Sequence, residues 1–287
     1  MTHSCPIFLK VGTTSGERPI AVRRDEGGGP GLFWLGGFKS DMKGTKAEAV
    51  SQWARENGRA CVRFDYSGHG ESGGDFREGT IGRWLEESLA VFEQHAQGPQ
   101  VVIGSSMGGW IALLLLRALR QKAVAGRVAG LVLIAPAVSG APDPPDEDLD
   151  PATARLDALF GEAEGVEEYA RLDAWLWLDG PAGPEGRVGG AARELALAMN
   201  RAILAHDVPE DAGASGMDAW ARLEDVAVPA TVVVCELDVP FMNEQGERIA
   251  ARIPGARLER MAEVAHLPGL ERPDGLAALI QASTSGR

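Results

Sequence analysis

A short strand, a tight turn and a helix follow one another after residue 100, with a serine at the turn. Val101-Val102-Ile103 is a β-branched apolar run, Gly104-Ser105-Ser106-Met107-Gly108 follows it, and an unbroken helical pattern begins at Trp110. A serine attacks a carbonyl only if its hydroxyl stands clear of the sheet, and so sharp a turn requires glycine two residues before and after it. The pattern predicts a nucleophile elbow with Ser106 as the nucleophile. A chance Gly/Ser turn is the alternative in a chain with 37 glycines, and the flanking strand and helix favour the elbow.

Size and charge exclude several classes of protein. The chain has 287 residues and 45% apolar content, enough for one large α/β domain. Its formal net charge of −13 argues against a nucleic-acid partner. The most apolar run, 111–116, is well short of the ~20 residues that cross a bilayer, so no membrane span is expected. Cys5, Cys61 and Cys235 form no disulfide pattern, and no apolar signal segment opens the chain, which together predict a cytoplasmic protein.

Strand-like runs alternate with helical segments along most of the chain. This order predicts a mostly parallel sheet with helices on both faces, opened by a hairpin. Apolar residues at helical spacing, each time stopped by a glycine, predict helices over 45–57 and 80–97. We predict eight strands: Ile7–Val11, Pro19–Arg23, Leu32–Leu35, Ala60–Phe64, Val101–Gly104, Leu131–Ala135, Ala230–Cys235 and Arg257–Met261.

The alternation is interrupted after the sixth strand. Residues 142–148 are too rich in proline and acid for a strand or a helix interior, and 152–222 has the pattern of helices without a strand. We therefore expect a helical lid over 137–222, inserted into an α/β core of 1–136 and 223–287. Trp175 and Trp177 lie in this lid, where packing within the lid is favoured and substrate contact is the alternative.

Ser106 needs a general base, and histidine is the natural one. Of the five histidines, His266 follows the last predicted strand in a loop that can reach the carboxyl edge of the sheet. His69 lies in the glycine-bracketed loop Gly68-His69-Gly70 after another strand and is the alternative. We predict that His266 is the base.

The base in turn needs an acid, which we expect at the end of another strand on the same edge. Asp238 and Glu236 both follow the strand that ends at Cys235, and Asp238 is favoured. Asp65 also follows a strand, but the glycines after it indicate that it braces its own loop. The chain order Ser106, Asp238, His266 is the one typical of strand-turn-helix serine hydrolases.

An oxyanion that forms on the substrate requires two backbone N–H donors. Met107 supplies one at the start of the helix after the elbow, where the helix dipole adds to it. The loop Leu35-Gly36-Gly37-Phe38-Lys39 follows the third strand, and its glycines allow a close approach to a ligand. We predict Phe38 N–H as the second donor and Gly37 as a substrate contact, with a simple tight turn as the alternative.

Together these motifs resemble the α/β-hydrolase superfamily over nearly the whole chain. The resemblance implies an eight-stranded sheet with an antiparallel second strand, a lid after the sixth strand and a Ser-Asp-His triad. Members often carry His-Gly before the oxyanion residue, whereas this chain has Gly36 in the position of that histidine.

A finer resemblance divides the chain in two. Residues 34–136, with Arg63-Phe64-Asp65-Tyr66-Ser67-Gly68 and the elbow, look like bacterial relatives of the abhydrolase-domain acyl-protein thioesterases. Residues 140–287, with Ala265-His266-Leu267-Pro268-Gly269, instead look like lidded bacterial esterases and C–C bond hydrolases. All lysine or arginine residues after Lys122 are arginine. A hybrid joined near 135–141 is one hypothesis, and drift in a GC-rich genome is the other.

The residues thus predict a serine hydrolase of small-molecule carboxylic esters or thioesters that works through an acyl-enzyme. It would need no metal and no cofactor. C–C bond hydrolysis of the meta-cleavage type and cofactor-free perhydrolysis use the same triad and stay open. A ligand receptor that keeps the fold without turnover is the alternative from another class.

Overall fold

The computed structural model describes residues 5–13, 16–142, 150–204 and 218–284. The proline-rich acidic segment predicted at 142–148 lies outside them, except for its first residue. His206, one of the five histidines, also lies outside the described residues.

One sheet of eight strands organises the chain. The strands are β1 Ile7–Thr13, β2 Gly16–Asp25, β3 Gly28–Leu35, β4 Arg59–Phe64, β5 Gln100–Ser105, β6 Val128–Ile134, β7 Ala230–Cys235 and β8 Arg257–Met261. Their order in the sheet is β1-β2-β4-β3-β5-β6-β7-β8. The second strand is antiparallel to both of its neighbours, and the remaining pairs are parallel. This confirms the mostly parallel sheet and the antiparallel second strand.

Helices cover both faces of the sheet. Those of the core are α1 Thr45–Glu56, α2 Ile81–His95, α3 Met107–Leu119, α7 Pro240–Arg252, α8 Pro268–Glu271 and α9 Pro273–Thr284. Because successive strand residues point to opposite sides, Phe33 and Leu35 of β3 belong to the apolar cluster that holds α2, α3 and α7. Leu32 and Trp34 belong to the cluster that holds α1 and α9. No helix within the described ranges is long and apolar enough to cross a membrane.

Several predicted boundaries need correction. The helix after the elbow begins at Met107 rather than Trp110, because the two glycines that weaken the sequence signal are needed for packing. Strand β3 begins at Gly28 rather than Leu32, since it opens with glycines and a proline that are rare in strands. The helices predicted over 45–57 and 80–97 are shorter by one to two residues at their ends.

A helical insertion separates β6 from β7 in chain order. It contains α4 Pro151–Glu162, α5 Val166–Ala174 with a π-helical extension at Trp175–Asp179, and α6 Gly190–Leu204. The Asp179 carboxylate is fully buried and accepts hydrogen bonds from Arg193, Gly186 N–H and Val188 N–H. Removing that charge would leave these donors unpaired, so Asp179 ties the end of α5 to the start of α6.

Candidate active site

Ser106 lies at the junction between β5 and α3 in a strained conformation. Its φ is 55° and its ψ is −122°, a region that residues other than glycine rarely occupy. Its N–H donates to Ile134 O at 2.9 Å, and its carbonyl accepts from Gly109 N and Ala137 N at 2.8 and 3.1 Å. These three backbone hydrogen bonds hold the turn, so the hydroxyl is presented beyond the end of the sheet.

Gly104 and Gly108 allow the turn because the backbone is in contact at both positions. A Cβ on Gly104 would overlap the carbonyl of Gly108, and a Cβ on Gly108 would overlap the carbonyl oxygens of Leu35 and Gly36. Both obstacles are backbone atoms that cannot rotate away. The start of α3 therefore packs directly against the end of β3 and the loop that follows it.

We expect Gly108→Ala to lower the free energy of unfolding by about 3 kcal/mol, since the added methyl group forces two packed segments apart. Urea unfolding followed by circular dichroism measures the change. Gly161→Ala is the matched control, because Gly161 lies in α4 with open space around it. That variant should be neutral or more stable by up to about 1 kcal/mol. Equal stability of the two variants would contradict the packing argument.

The hydroxyl of Ser106, the imidazole of His266 and the carboxylate of Asp238 form one hydrogen-bonded row. His266 Nε2 is 3.1 Å from Ser106 Oγ, and His266 Nδ1 is 2.8 Å from Asp238 Oδ2. A carboxylate only accepts, which assigns the proton to Nδ1 and leaves Nε2 as the acceptor for the hydroxyl. Both His266 and Asp238 are buried, so little water competes for these bonds. Residues that are 160 positions apart in the chain are within reach of proton transfer.

Two glutamates hold the loop that carries His266 by accepting its backbone N–H groups. Glu236, the second acid that follows β7, accepts Glu263 N–H at 3.0 Å and so caps this loop instead of contacting the imidazole. Glu271 accepts the N–H of Ala265, the residue before His266, at 2.8 Å. Its other oxygen pairs with Arg187 of the insertion. The ion pair between Arg187 and Glu271 therefore connects the insertion to the segment that holds the His266 loop.

Asp65 and His69, which also follow a strand, have their hydrogen bonds away from the hydroxyl. Asp65 accepts Met42 N–H at 2.6 Å and Glu71 N–H at 2.8 Å, so it braces its own loop, as its glycines indicate. Burial raises the pKa of Asp65 to about 6. Both ring nitrogens of His69 have partners other than Ser106: Ser67 O and Lys39 N.

The loop of residues 36–39, which we call the oxyanion loop for its predicted role, lies directly against Ser106. A Cβ on Gly37 would be 3.4 Å from Ser106 Cβ, so the backbone of this loop approaches the nucleophile closely. Met107 begins α3 immediately after Ser106. Neither Met107 N–H nor Phe38 N–H donates to another of the described residues. The oxyanion role of these two amides stays a prediction.

Of Trp175 and Trp177, Trp177 is the one whose ring contacts His266. Its ring centroid is 4.7 Å from that of His266. Asp173 accepts a hydrogen bond from Trp177, which opposes the burial that raises the pKa of Asp173 to about 6. Trp175 is buried with Leu156 and Leu172 and donates to Gly183 O at 2.9 Å. It therefore packs within the insertion, which is the role that the sequence favours for it.

Sequence reasoning missed one residue of the candidate site, Lys46. This partly buried lysine on α1 donates to the hydroxyl of Ser105 at 3.0 Å, one residue before the nucleophile. Burial lowers its pKa to about 8, and the nearby Asp238 opposes that fall. A lysine in the first turn of the helix after the glycine loop was the available signal. At neutral pH the site thus holds a cation near Asp238.

We expect the free energy of unfolding of the wild-type chain to rise by about 1 to 2 kcal/mol between pH 8 and pH 10.5 relative to that of Lys46→Met. Burial lowers the pKa of Lys46 from 10.5 to about 8, so in this range the unfolded chain binds a proton that the folded chain has lost. Urea unfolding at several pH values measures the difference. Lys122→Met removes a lysine from a surface pair with Glu93 and should keep the wild-type rise. The same pH dependence in the wild-type chain and in Lys46→Met would contradict this prediction.

Comparison with known proteins identifies the family of this chain. The model of the alpha/beta hydrolase family matches residues 27–279. The chain belongs to the alpha/beta hydrolase family. Among solved structures, a putative hydrolase from Agrobacterium vitis S4 is 31% identical, with 98% of each chain covered and a TM-score of 0.64.

Thioesterases are among the relatives. Human palmitoyl-protein thioesterase ABHD10, mitochondrial, is 42% identical over 106 residues, which are 37% of this chain and 35% of that relative. The match thus spans little more than a third of the curated relative. Alpha/beta hydrolase domain-containing protein 10 from mouse shares the fold, with a TM-score of 0.63, 24% identity and coverage of 97% and 98%. The resemblance to abhydrolase-domain acyl-protein thioesterases is confirmed.

Proposed function

We propose that this chain is a serine hydrolase that cleaves carboxylic esters or thioesters of small molecules through an acyl-enzyme. The observation that carries the proposal is the row Ser106–His266–Asp238, with a donor–acceptor distance of 3.1 Å at the hydroxyl and 2.8 Å at the carboxylate. The nucleophile, its base and the group that orients the base are all buried or partly buried at one edge of the sheet. The named relatives add support, since one of them is a thioesterase.

In the first half of the reaction, Ser106 Oγ attacks the acyl carbon while His266 Nε2 takes the hydroxyl proton. The negative charge on the former carbonyl oxygen is stabilised by Met107 N–H and Phe38 N–H, each worth roughly 3 to 4 kcal/mol. Asp238 stabilises the imidazolium and holds its orientation. As the tetrahedral species collapses, the bond to the leaving oxygen or sulfur breaks and His266 returns the proton to it.

In the second half, the acyl group is an ester of Ser106. His266 now takes a proton from a water molecule, and the resulting hydroxide attacks the same carbon at the same oxyanion site. Collapse expels Ser106 Oγ, which regains its proton from His266, and the carboxylic acid leaves. The proton balance closes over one cycle, in which one water molecule is consumed.

A groove beside the oxyanion loop fits an acyl chain. It has a volume of about 710 Å³ and runs from Lys39 to the end of α6. Phe76, Met199, Ala202 and Ile203 line its apolar side, and Lys39, Ser40, Asp41, His69 and Asp75 line its polar side. We expect kcat/KM for p-nitrophenyl esters to rise about tenfold as the acyl chain lengthens from C2 to C8. Each added methylene moves from water to the apolar side of the groove. A maximum at C2 to C4 in the chain-length series would instead indicate a shallow pocket.

The helical insertion supplies a lid in this proposal. Residues 137–222 would form the lid on a core of 1–136 and 223–287. Support comes from Trp177, whose ring contacts His266, and from the ion pair between Arg187 and Glu271. A cytoplasmic location stays a prediction, since the thioesterase relatives are named as mitochondrial proteins. The hybrid origin also stays a prediction, which comparison of 34–136 and 140–287 with the same relatives would test.

Active-site labelling tests the function. A fluorophosphonate probe should label the wild-type chain covalently, and Ser106→Ala should remove the label. Ser105→Ala, which changes the adjacent serine, should keep it and serves as the matched control. Failure of the wild-type chain to label while it binds a small molecule would favour the receptor hypothesis. Labelled protein that cleaves no ester or thioester would favour C–C bond hydrolysis or perhydrolysis.

A further inference from the structure

His69 has its two ring nitrogens in different hydrogen bonds. Nδ1 is 3.1 Å from Ser67 O, and Nε2 is 3.2 Å from Lys39 N. A carbonyl oxygen only accepts, so Nδ1 carries the proton and Nε2 accepts the N–H of Lys39. The imidazole is buried, and that burial lowers its pKa to about 4, which keeps this neutral tautomer in place at neutral pH.

The donor of the second bond, Lys39 N–H, lies in the oxyanion loop, whose backbone is conformationally free or strained at several positions. The loop contains two glycines, and Lys39 has a φ of 55°, in the left-handed region that favours glycine. Lys39 N belongs to the peptide plane that follows Phe38. Holding that plane restricts the torsion of Phe38 and, with it, the direction of the Phe38 N–H.

Aromatic contacts fix the imidazole in turn. The His69 ring packs edge-on against Tyr66, Phe76 and Trp84, at centroid distances of 5.7, 5.1 and 5.2 Å. The Phe38 ring rests on the same group, 5.4 Å from Phe76 and 6.1 Å from Trp84. One aromatic cluster therefore orients both the His69 imidazole and the side chain of Phe38.

We propose that His69 is a positioning residue that aims the Phe38 amide at the substrate oxyanion by accepting the Lys39 N–H. The proposal rests on the serine hydrolase function above and deepens it. His69 exchanges no proton during the reaction. Its effect is confined to the step in which negative charge develops on the carbonyl oxygen.

Two substitutions separate the hydrogen bond from ring packing. His69→Phe keeps an aromatic ring in the cluster but has no acceptor, whereas His69→Gln loses the ring and keeps an oxygen near the position of Nε2. We expect His69→Phe to lower kcat about 10- to 100-fold with little change in KM, because a displaced donor weakens only the transition state. His69→Gln should recover most of that loss.

A pair of substrates reports on the oxyanion site itself. Sulfur is larger than oxygen and a weaker acceptor, so a thionoester gains less from the donors than its ester does. We expect the ratio of kcat/KM for p-nitrophenyl acetate to that for the thionoacetate to fall about tenfold in His69→Phe. The ratio should stay near the wild-type value in His69→Gln and in the control His95→Phe, which changes an imidazole at the end of α2.

Every other pattern overturns the proposal. Wild-type rates and ratio in His69→Phe would remove the role of the hydrogen bond. A loss in His69→Gln that equals or exceeds the loss in His69→Phe, or an unchanged ratio with both rates reduced, would mean that the hydrogen bond to Lys39 N–H does not carry the effect. Thermal unfolding shows whether each variant is folded. If His69→Phe is not folded, the rates and the substrate ratio of His69→Gln are compared with those of the wild-type chain. Failure of the wild-type chain to hydrolyse either substrate would count against the proposed function itself.

Discussion

Replacement of His266 by alanine is expected to lower kcat for ester hydrolysis by at least about 10³-fold. Ser106 is a poor nucleophile unless its proton is removed, and the His266 Nε2 atom is 3.1 Å from its Oγ. The fold should survive, since Glu271 of α8 still accepts Ala265 N–H and still pairs with Arg187. Steady-state kinetics with p-nitrophenyl butyrate measures the loss.

The control for this variant is a partly buried histidine elsewhere in the core, changed in the same way. His95→Ala alters the last turn of α2 and should keep near-wild-type turnover. Near-normal rates in His266→Ala would mean that another group accepts the proton from Ser106. His69 is the second candidate that the sequence offers, but its acceptor nitrogen is bonded to Lys39 N–H.

The sequence predicted those parts of the site that local motifs determine. Ser106 follows from a strand, a tight turn and a helix within twenty residues, because steric contact there tolerates little besides glycine. The choice of His266 over His69 followed from the position of each loop after its strand. Such local and topological rules also predict the eight strands and their mostly parallel order, which the sheet confirms.

What the sequence left open depends on side-chain direction across the fold. Glu236 and Asp238 are two residues apart, and only the hydrogen bond of Glu236 to Glu263 N–H shows that the first carboxylate faces away from the imidazole. Lys46 has no motif, because its role arises from its distance to Ser105 on another element. The partners of His69 lie in two different loops. Contacts of this kind require coordinates.

Asp238→Asn is expected to reduce kcat by about 10⁴-fold with little loss of stability. In the wild-type chain, Oδ2 accepts the proton on Nδ1 of His266, and Oδ1 accepts Val239 N–H at 2.8 Å. An asparagine can keep the bond to Val239 through its oxygen and then presents its NH₂ group to the imidazole. Nδ1 must become the acceptor, which moves the ring proton to Nε2. His266 in that tautomer cannot take the proton of Ser106.

The matched control is Glu236→Gln, which makes the same change in the same loop. Its amide oxygen can still accept Glu263 N–H, so kcat should stay within about twofold of wild type. Steady-state kinetics and thermal unfolding of both variants measure the contrast. If Glu236→Gln carried the large loss and Asp238→Asn stayed active, the orienting carboxylate would be Glu236 and the loop after β7 would have to turn during catalysis. A large loss confined to Asp238→Asn assigns the tautomer of His266 to one carboxylate, since the two variants differ only in which acid faces the ring.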